Sequence, residues 1–345
     1  VSEQLPQINV TTARARRLSY KQAGSAVIED CQLADINDNF VTIKTMFSGI
    51  SRGTESLVYH GKVPESEEIR MRCPNQVGDF TYPVSYGYAC VGEIIETQSE
   101  VKTLHKGDHV FVLHPHQDLF TVEADACNPL PKGLSPQTAV LAANMETALN
   151  ATWDGELGDT SKHLIIGAGV VGLLTAYCVK TLSGFTPTIV DINADKRQVA
   201  EALGLEFRTV SDFTKGSTPR MERIFNSTAS ASGLQLAIDS AAFEARIIEM
   251  SWFGDRRVSL DLGGAFHSQR LQIISSQVGH ISPSRRDTHD YPDRMREAMK
   301  LLTNPALDAL LETGIGFEAL PNHLDDIFSA DSNILCQLVN YQQMR

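Results

Sequence analysis

With 345 residues, 42% of them hydrophobic and 21% charged, the chain has the composition of a folded globular protein and room for two domains at ~150 residues each. Thirty basic against forty-two acidic side chains leave a net charge of −12, which repels a phosphate backbone and excludes nucleic acid as an expected partner. No run approaches the ~20 consecutive apolar residues of a membrane span, and no basic start precedes an apolar run, so the expectation is a cytoplasmic protein with no membrane partner.

From about residue 7 to 125 the pattern is short β-like runs broken by turns: Phe40 to Thr45, Gly92 to Glu96, and Asp108 to Leu113 with alternating Val110 and Val112. A mostly-β first domain follows. At Ser135 the character changes, and Pro136 to about Trp153 reads as helix. The apolar run His163-Leu164-Ile165-Ile166 then ends in a glycine turn before an apolar helix, Leu173 to Leu182. Pro187 to Val190 ends in Asp191, and Ala194 to Leu203 reads as a helix closed by Gly204. Further strands are expected at Arg223 to Asn226, Arg246 to Met250 and Leu271 to Ser275, with a helix at Leu234 to Ala242. Strand and helix alternate, which predicts an α/β doubly wound parallel sheet of the Rossmann kind. Asp293 to Leu302 reads as helix, and a short mixed tail follows that can return to the first domain. The six cysteines are scattered, with no C-x-x-C pair, and read as buried small apolar residues.

The turn Gly167-Ala168-Gly169-Val170-Val171-Gly172 is a G-x-G-x-x-G pattern, weak alone but here set between a buried strand and a helix. Gly167 can make the tight turn, Gly169 lets a diphosphate approach the backbone, and Gly172 lets helix and strand pack closely. The helix start offers free N–H donors and partial positive charge. Asp191, 19 residues beyond Gly172, ends the second strand where a carboxylate can accept from both adenosine ribose hydroxyls and would repel a 2′-phosphate. This favours NAD over NADP, although Lys196 and Arg197 stand nearby. The bland alternative is that Asp191 merely starts a turn.

With these residues in hand, the chain resembles the medium-chain dehydrogenase/reductases, the superfamily of zinc alcohol dehydrogenases, over nearly its whole length. The resemblance is carried by Gly49-Ile50-Ser51-Arg52-Gly53-Thr54-Glu55, Tyr86-Gly87-Tyr88-Ala89-Cys90-Val91-Gly92, Lys106-Gly107-Asp108-His109-Val110 and the glycine turn. It implies a GroES-like, mostly-β catalytic domain over residues 1–146 and 285–345, a Rossmann domain over 147–284, a small-molecule substrate, and a homodimer joined near Leu271 to Ser275. Within the family it resembles most the zinc-lacking branch that includes bacteriochlorophyllide dehydrogenase, through the Gly49 to Glu55 segment and the runs Ser251 to Asp255, Leu262 to His267 and Ser275 to Gly279.

The same resemblance implies that no zinc is held. Where the family has a zinc-binding cysteine this chain has Ser51 or Arg52, depending on one inserted residue, and Tyr88 and Ala89 replace the family's His and Glu. Glu146 matches a carboxylate ligand of some polyol dehydrogenases, but one carboxylate does not make a zinc site. The four-cysteine lobe of many relatives is absent. His114 and His116 alternate in a way that invites a metal reading, yet proline stands between them and no cysteine is near; a polar strand end or a substrate contact is the alternative.

Without a metal, developing charge on oxygen must be met by hydrogen bonds. For carbonyl reduction, Tyr88 is the candidate proton donor, Thr54 the relay and Arg52 the positive charge, with Glu146 facing the cleft; for an enone only enolate stabilisation is needed. Each has a bland reading: Tyr88 packed in the core, Arg52 on the cofactor pyrophosphate, Glu146 bracing the crossing helix. His60 and Glu55 are weaker candidates. The competing class is a protein that binds NAD on this fold as a sensor or structural subunit, without turnover.

Overall fold

The computed structural model describes residues 14–33, 37–216 and 219–342. The start of the expected β region at residues 7–13, and the outer limits of the expected first domain at 1–13 and 343–345, lie outside the described residues.

Six parallel strands form the sheet that follows the glycine turn, in the order Glu206–Thr209, Thr188–Asp191, His163–Ile166, Met221–Asn226, Ala241–Glu249, Gln272–Ser275. This is the doubly wound order 3-2-1-4-5-6. It puts a crevice at the carboxyl ends of His163–Ile166 and Met221–Asn226, where the winding reverses. The inner strands are apolar runs because both faces are covered: His163, Leu164, Ile165 and Ile166 are all buried.

Two differences from the sequence reading have physical causes. Glu206–Thr209 is the third strand, unannounced by its composition, because as an edge it buries only Phe207 of its four residues. The fifth strand begins at Ala241 directly after the helix Ala231–Ser240, whereas the sequence pattern predicts a helix running to Ala242 and a strand starting at Arg246. It absorbs the conflict in a kink at Glu244, which has φ 57°, and in a register shift between Met221 and Arg223 of its neighbour.

The β part holds two sheets. Ala15–Gln22 pairs with Ser25–Cys31 and with the short Val84–Ser85, and Phe40–Ile50 lies centrally in a seven-stranded sheet with Cys90–Thr97, His109–Val112 and Leu119–Glu123. The tail rejoins this sheet: Cys336–Asn340 runs antiparallel to Phe40–Ile50, with Gln337 opposite Ile50. The helix Ala142–Gly155 links the two parts and packs on both Val170–Ser183 and Tyr291–Leu301. It is buried nearly all round, Met145, Ala148 and Leu149 entering one continuous apolar core. Among the described residues no helix is long and apolar enough to cross a membrane.

Candidate functional site

A cleft of about 1500 Å³ runs between the two parts, from Asp191 past the glycine turn to Ser51, Thr54 and Tyr88. At its centre Gly167 has φ 100°, a conformation that disfavours any side chain, and a Cβ there would meet Ser227 Oγ at 2.9 Å. A Cβ on Gly172 would lie 1.9 Å from the Gly167 carbonyl oxygen, while one on Gly169 would meet nothing within 4 Å and would project into open space. The helix Val170–Ser183 starts at Gly169 with no side-chain cap and no acidic residue in its first turn. Its orphan N–H groups therefore face the cleft without internal competition for an anion. Ala168, Val170 and Val171 complete the turn; Val170 is buried and Val171 lines the cleft. This cradle fits a dinucleotide pyrophosphate.

Asp191 ends its strand beside that turn. Its Oδ2 accepts from the Ala168 N–H at 2.6 Å and its Oδ1 from the Asn193 N–H at 2.8 Å, so the carboxylate is fixed by backbone and keeps lone pairs toward the cleft. The two nearby cations are engaged elsewhere. Lys196 Nζ donates to the Asn333 carbonyl, and burial, with the Arg52 charge adding, pulls the ammonium below its usual range. The Arg197 guanidinium lies over the Phe207 ring, 5.0 Å from its centroid, and donates to the Phe207 carbonyl. Asn333 also donates to Asp195 at 3.1 Å, so the tail segment near 333 is tied to this end of the cleft.

At the other end the side chains are hydroxyls. The Tyr88 phenol has the Ser51 and Thr54 hydroxyls beside it; burial first, and the Glu55 charge second, push it well above its ordinary pKa, so it holds its proton. Asn144 Nδ2 donates to Ser51 Oγ at 3.1 Å. All four residues line the cleft. Asn144 carried no signal in the sequence beyond lying two residues before Glu146.

Glu146 and Arg52 sit differently from the roles first assigned to them. Asn144 and Thr147 line the cleft from the helix Ala142–Gly155, but the Glu146 carboxylate is buried against Arg294 Nε at 3.0 Å. Arg52 donates to the carbonyls of Ile327, Ser329, Ser332 and Ile334 at 2.7–3.0 Å, clamping the turn that follows the helix Leu324–Phe328. Its charge is directed at that turn.

His114 and His116 are buried and partnered. His114 stacks on Phe120 with centroids 3.8 Å apart, and burial lowers it to about 4. His116 Nε2 lies 2.9 Å from Glu55 Oε2, with neither side chain exposed. His60 is at the mouth of the cleft, edge-on to Phe328. No group of three or more His, Cys, Asp or Glu that could hold a metal is found among the described residues. Ser51, Tyr88 and Glu146 offer a hydroxyl, a phenol and an arginine-paired carboxylate, a donor set without the nitrogen or sulfur that zinc prefers.

The chain is similar to a sorbitol dehydrogenase of Arabidopsis thaliana, 26% identical over 205 residues that cover 50% of this chain and 55% of that protein. It is also similar to the 2-desacetyl-2-hydroxyethyl bacteriochlorophyllide A dehydrogenase of Cereibacter sphaeroides, 26% identical over 191 residues with the same shares of each chain. Each match thus spans about half the length of the relative. No family model matches. Among solved structures, a short chain alcohol dehydrogenase from E. coli in complex with NADH superposes with a TM-score of 0.76, at 16% identity over 95% of this chain and 100% of that one. A putative zinc-binding dehydrogenase of Sinorhizobium meliloti bound to NADP gives 0.76 at 16% identity over 96% and 100%. The fold is that of the alcohol dehydrogenase-like proteins, a Rossmann-like parallel sheet joined to a mixed-sheet part, and the named relatives are dehydrogenases.

Proposed function

We propose that this protein is an NAD(H)-dependent oxidoreductase that works without zinc and moves hydride between nicotinamide and a small alcohol or its carbonyl. The observation that carries the reading is the hydroxyl cluster of Ser51, Thr54 and Tyr88, backed by Asn144, at the end of a cleft whose middle is the glycine turn. Bound nicotinamide supplies or accepts the hydride.

The remaining work falls to the chain. Gly167 to Gly172 and the helix start hold the pyrophosphate, and Asp191 accepts from the ribose hydroxyls, with Asp195 adding negative charge that disfavours a 2′-phosphate. In carbonyl reduction, Tyr88 donates a hydrogen bond to the substrate oxygen and gives up its proton as hydride reaches carbon. Thr54 and Ser51 return a proton from solvent. A phenol held above its ordinary pKa suits this, because it stays protonated until strong negative charge develops beside it. The same donors serve an enolate, so an enone is the second substrate class. Glu146 and Arg52 enter as braces of the cleft walls. The division into residues 1–146 with 285–345 and 147–284, and a homodimer formed through the free edge of Gln272–Ser275, belong to the same reading.

The test is transfer of deuterium from 4-deuterated NADH to a panel of ketones, ketoses, quinones and enones, before and after dialysis against a strong zinc chelator. Deuterium should appear in a product and survive dialysis. Transfer to none of them would favour a non-catalytic NAD-binding protein, and activity lost to chelator and restored by zinc would overturn the metal-free part.

A further inference from the structure

Beneath the hydroxyl cluster lies a buried polar chain that the proposed reaction does not use. The helix Arg52–Tyr59 begins at Ser51, whose side chain makes no capping hydrogen bond. A serine in that place ordinarily turns its Oγ onto the helix's own free N–H groups. Glu55 reaches back to the cap residue itself, its Oε1 accepting from the Ser51 N–H at 2.7 Å and fixing the backbone there. The Ser51 hydroxyl accepts from Asn144 Nδ2 at 3.1 Å, with the Tyr88 phenol beside it.

A carboxylate with no exposure needs a partner for its second oxygen. His116 supplies it at 2.9 Å, and the ring is oriented in turn by Ser48 Oγ, 2.7 Å from Nδ1 and 3.0 Å from the Tyr341 hydroxyl. The segment carrying Tyr88 rests on the same ring: Gly87 has φ 131°, and a Cβ there would lie 2.8 Å from His116. Helix start, histidine and tyrosine are thus registered against one another through a single buried pair.

From this geometry we propose that Glu55 is a positioning residue for the candidate site: clamped by His116, it pins the Ser51 backbone at the helix start so that the Ser51 and Thr54 hydroxyls are held beside Tyr88. The inference rests on the hydride-transfer reading for its activity readouts. The groups facing Tyr88 are Glu55, Ser51 and Thr54 from the helix and its cap and Cys73 from the preceding loop, with the Tyr86 ring edge-on at 6.0 Å. Of these, Glu55 adds most after burial itself to the upward push on the phenol.

Glu55→Gln keeps the shape and an acceptor for the Ser51 N–H but removes the charge, while Glu55→Ala removes both. NADH affinity, measured by fluorescence, should be unchanged in each, since the glycine turn is elsewhere. Glu55→Ala should lower kcat for carbonyl reduction by about tenfold or more through lost positioning. Glu55→Gln, whose amide oxygen still accepts from the Ser51 N–H, should recover most of kcat with KM unchanged. Hydrogen exchange of the Ser51 amide gives a readout without turnover: Glu55→Ala should lose protection there by about tenfold or more, and Glu55→Gln should keep most of it. If wild type transfers hydride to nothing, the functional reading fails and exchange of the Ser51 amide still decides the role of Glu55. A Glu55→Ala protein that folds, exchanges the Ser51 amide and reduces carbonyls as wild type does overturns the proposal; should Glu55→Ala not fold, Glu55→Asp, a methylene shorter, takes its place with the same two readouts.

Discussion

Arg294 Nε meets the Glu146 carboxylate at 3.0 Å, and its Nη1 meets Asn150 Oδ1 at 2.7 Å, in an interior where Arg294 is only 2% exposed. The guanidinium also donates to the Val278 carbonyl at 2.6 Å. One side chain of the helix Tyr291–Leu301 therefore joins the linking helix Ala142–Gly155 to the loop after the last strand of the parallel sheet. Removing one partner of such a pair leaves a buried charge unmatched.

Arg294→Met should accordingly lower unfolding stability by about 3–5 kcal/mol. Glu146→Gln, which keeps an acceptor for Nε, should cost less. Urea unfolding of both variants checks this. NADH affinity of folded protein should stay near wild type; a large loss of kcat in Glu146→Gln at unchanged stability would return Glu146 to a direct role in the chemistry.

The glycine turn allows a comparison between neighbours. A methyl at Gly172 would fall 1.9 Å from a backbone oxygen, so Gly172→Ala must distort the turn, with an expected loss of about 1–3 kcal/mol of stability and at least tenfold in NADH affinity. A methyl at Gly169 meets no atom of the protein within 4 Å. Gly169→Ala should fold with stability within about 0.5 kcal/mol of wild type and still bind NADH weakly, because its methyl enters the space assigned to the pyrophosphate. Equal NADH affinity in Gly169→Ala and wild type would argue against a pyrophosphate there.

Asp191 is expected to set the choice of cofactor. Asp191→Ser should weaken NADH by about tenfold and narrow the preference over NADPH by at least as much, since a carboxylate–hydroxyl hydrogen bond and a like-charge repulsion are lost together. Titration of both dinucleotides by fluorescence gives the ratio, and an unchanged ratio would mean that Asp191 serves only its own turn.

How much of this was legible in the chain depends on the range of the interaction. The strand His163–Ile166, the turn and the helix after it are local, and apolar runs with glycines at fixed spacing declared them. The hydroxyl cluster was half visible: Ser51, Thr54 and Tyr88 stood at positions singled out by resemblance, but Asn144 had no motif. The carboxylates were misleading because their partners are remote. Glu146 meets Arg294 across 148 positions and Glu55 meets His116 across 61. Burial in such cases is decided by packing of whole elements, and a lone carboxylate in the sequence does not say which cation will reach it. The clamp of Arg52 on the carbonyls of residues 327 to 334 is likewise invisible, since backbone acceptors have no sequence signature.

His114 provides a pH test free of any assumption about activity. It is 6% exposed, stacked on Phe120, and its Nδ1 lies 2.8 Å from the Pro115 carbonyl, an arrangement that satisfies the neutral ring. Burial first, with the His116 charge adding, lowers it from 6.5 to about 4. The sign follows from proton uptake: between these values the unfolded chain binds a proton at this site and the folded chain does not. The contribution is thus fully present above pH 6.5 and declines as pH falls toward 4, by about 3 kcal/mol in total. His114→Phe keeps the stacking and removes the titration. Its loss of unfolding free energy between pH 7 and pH 4.5 should be about 2–3 kcal/mol smaller than that of wild type in matched urea titrations. Parallel curves for the two proteins would show that His114 takes up its proton as readily in the fold as in the unfolded chain, contrary to the burial that holds the ring neutral.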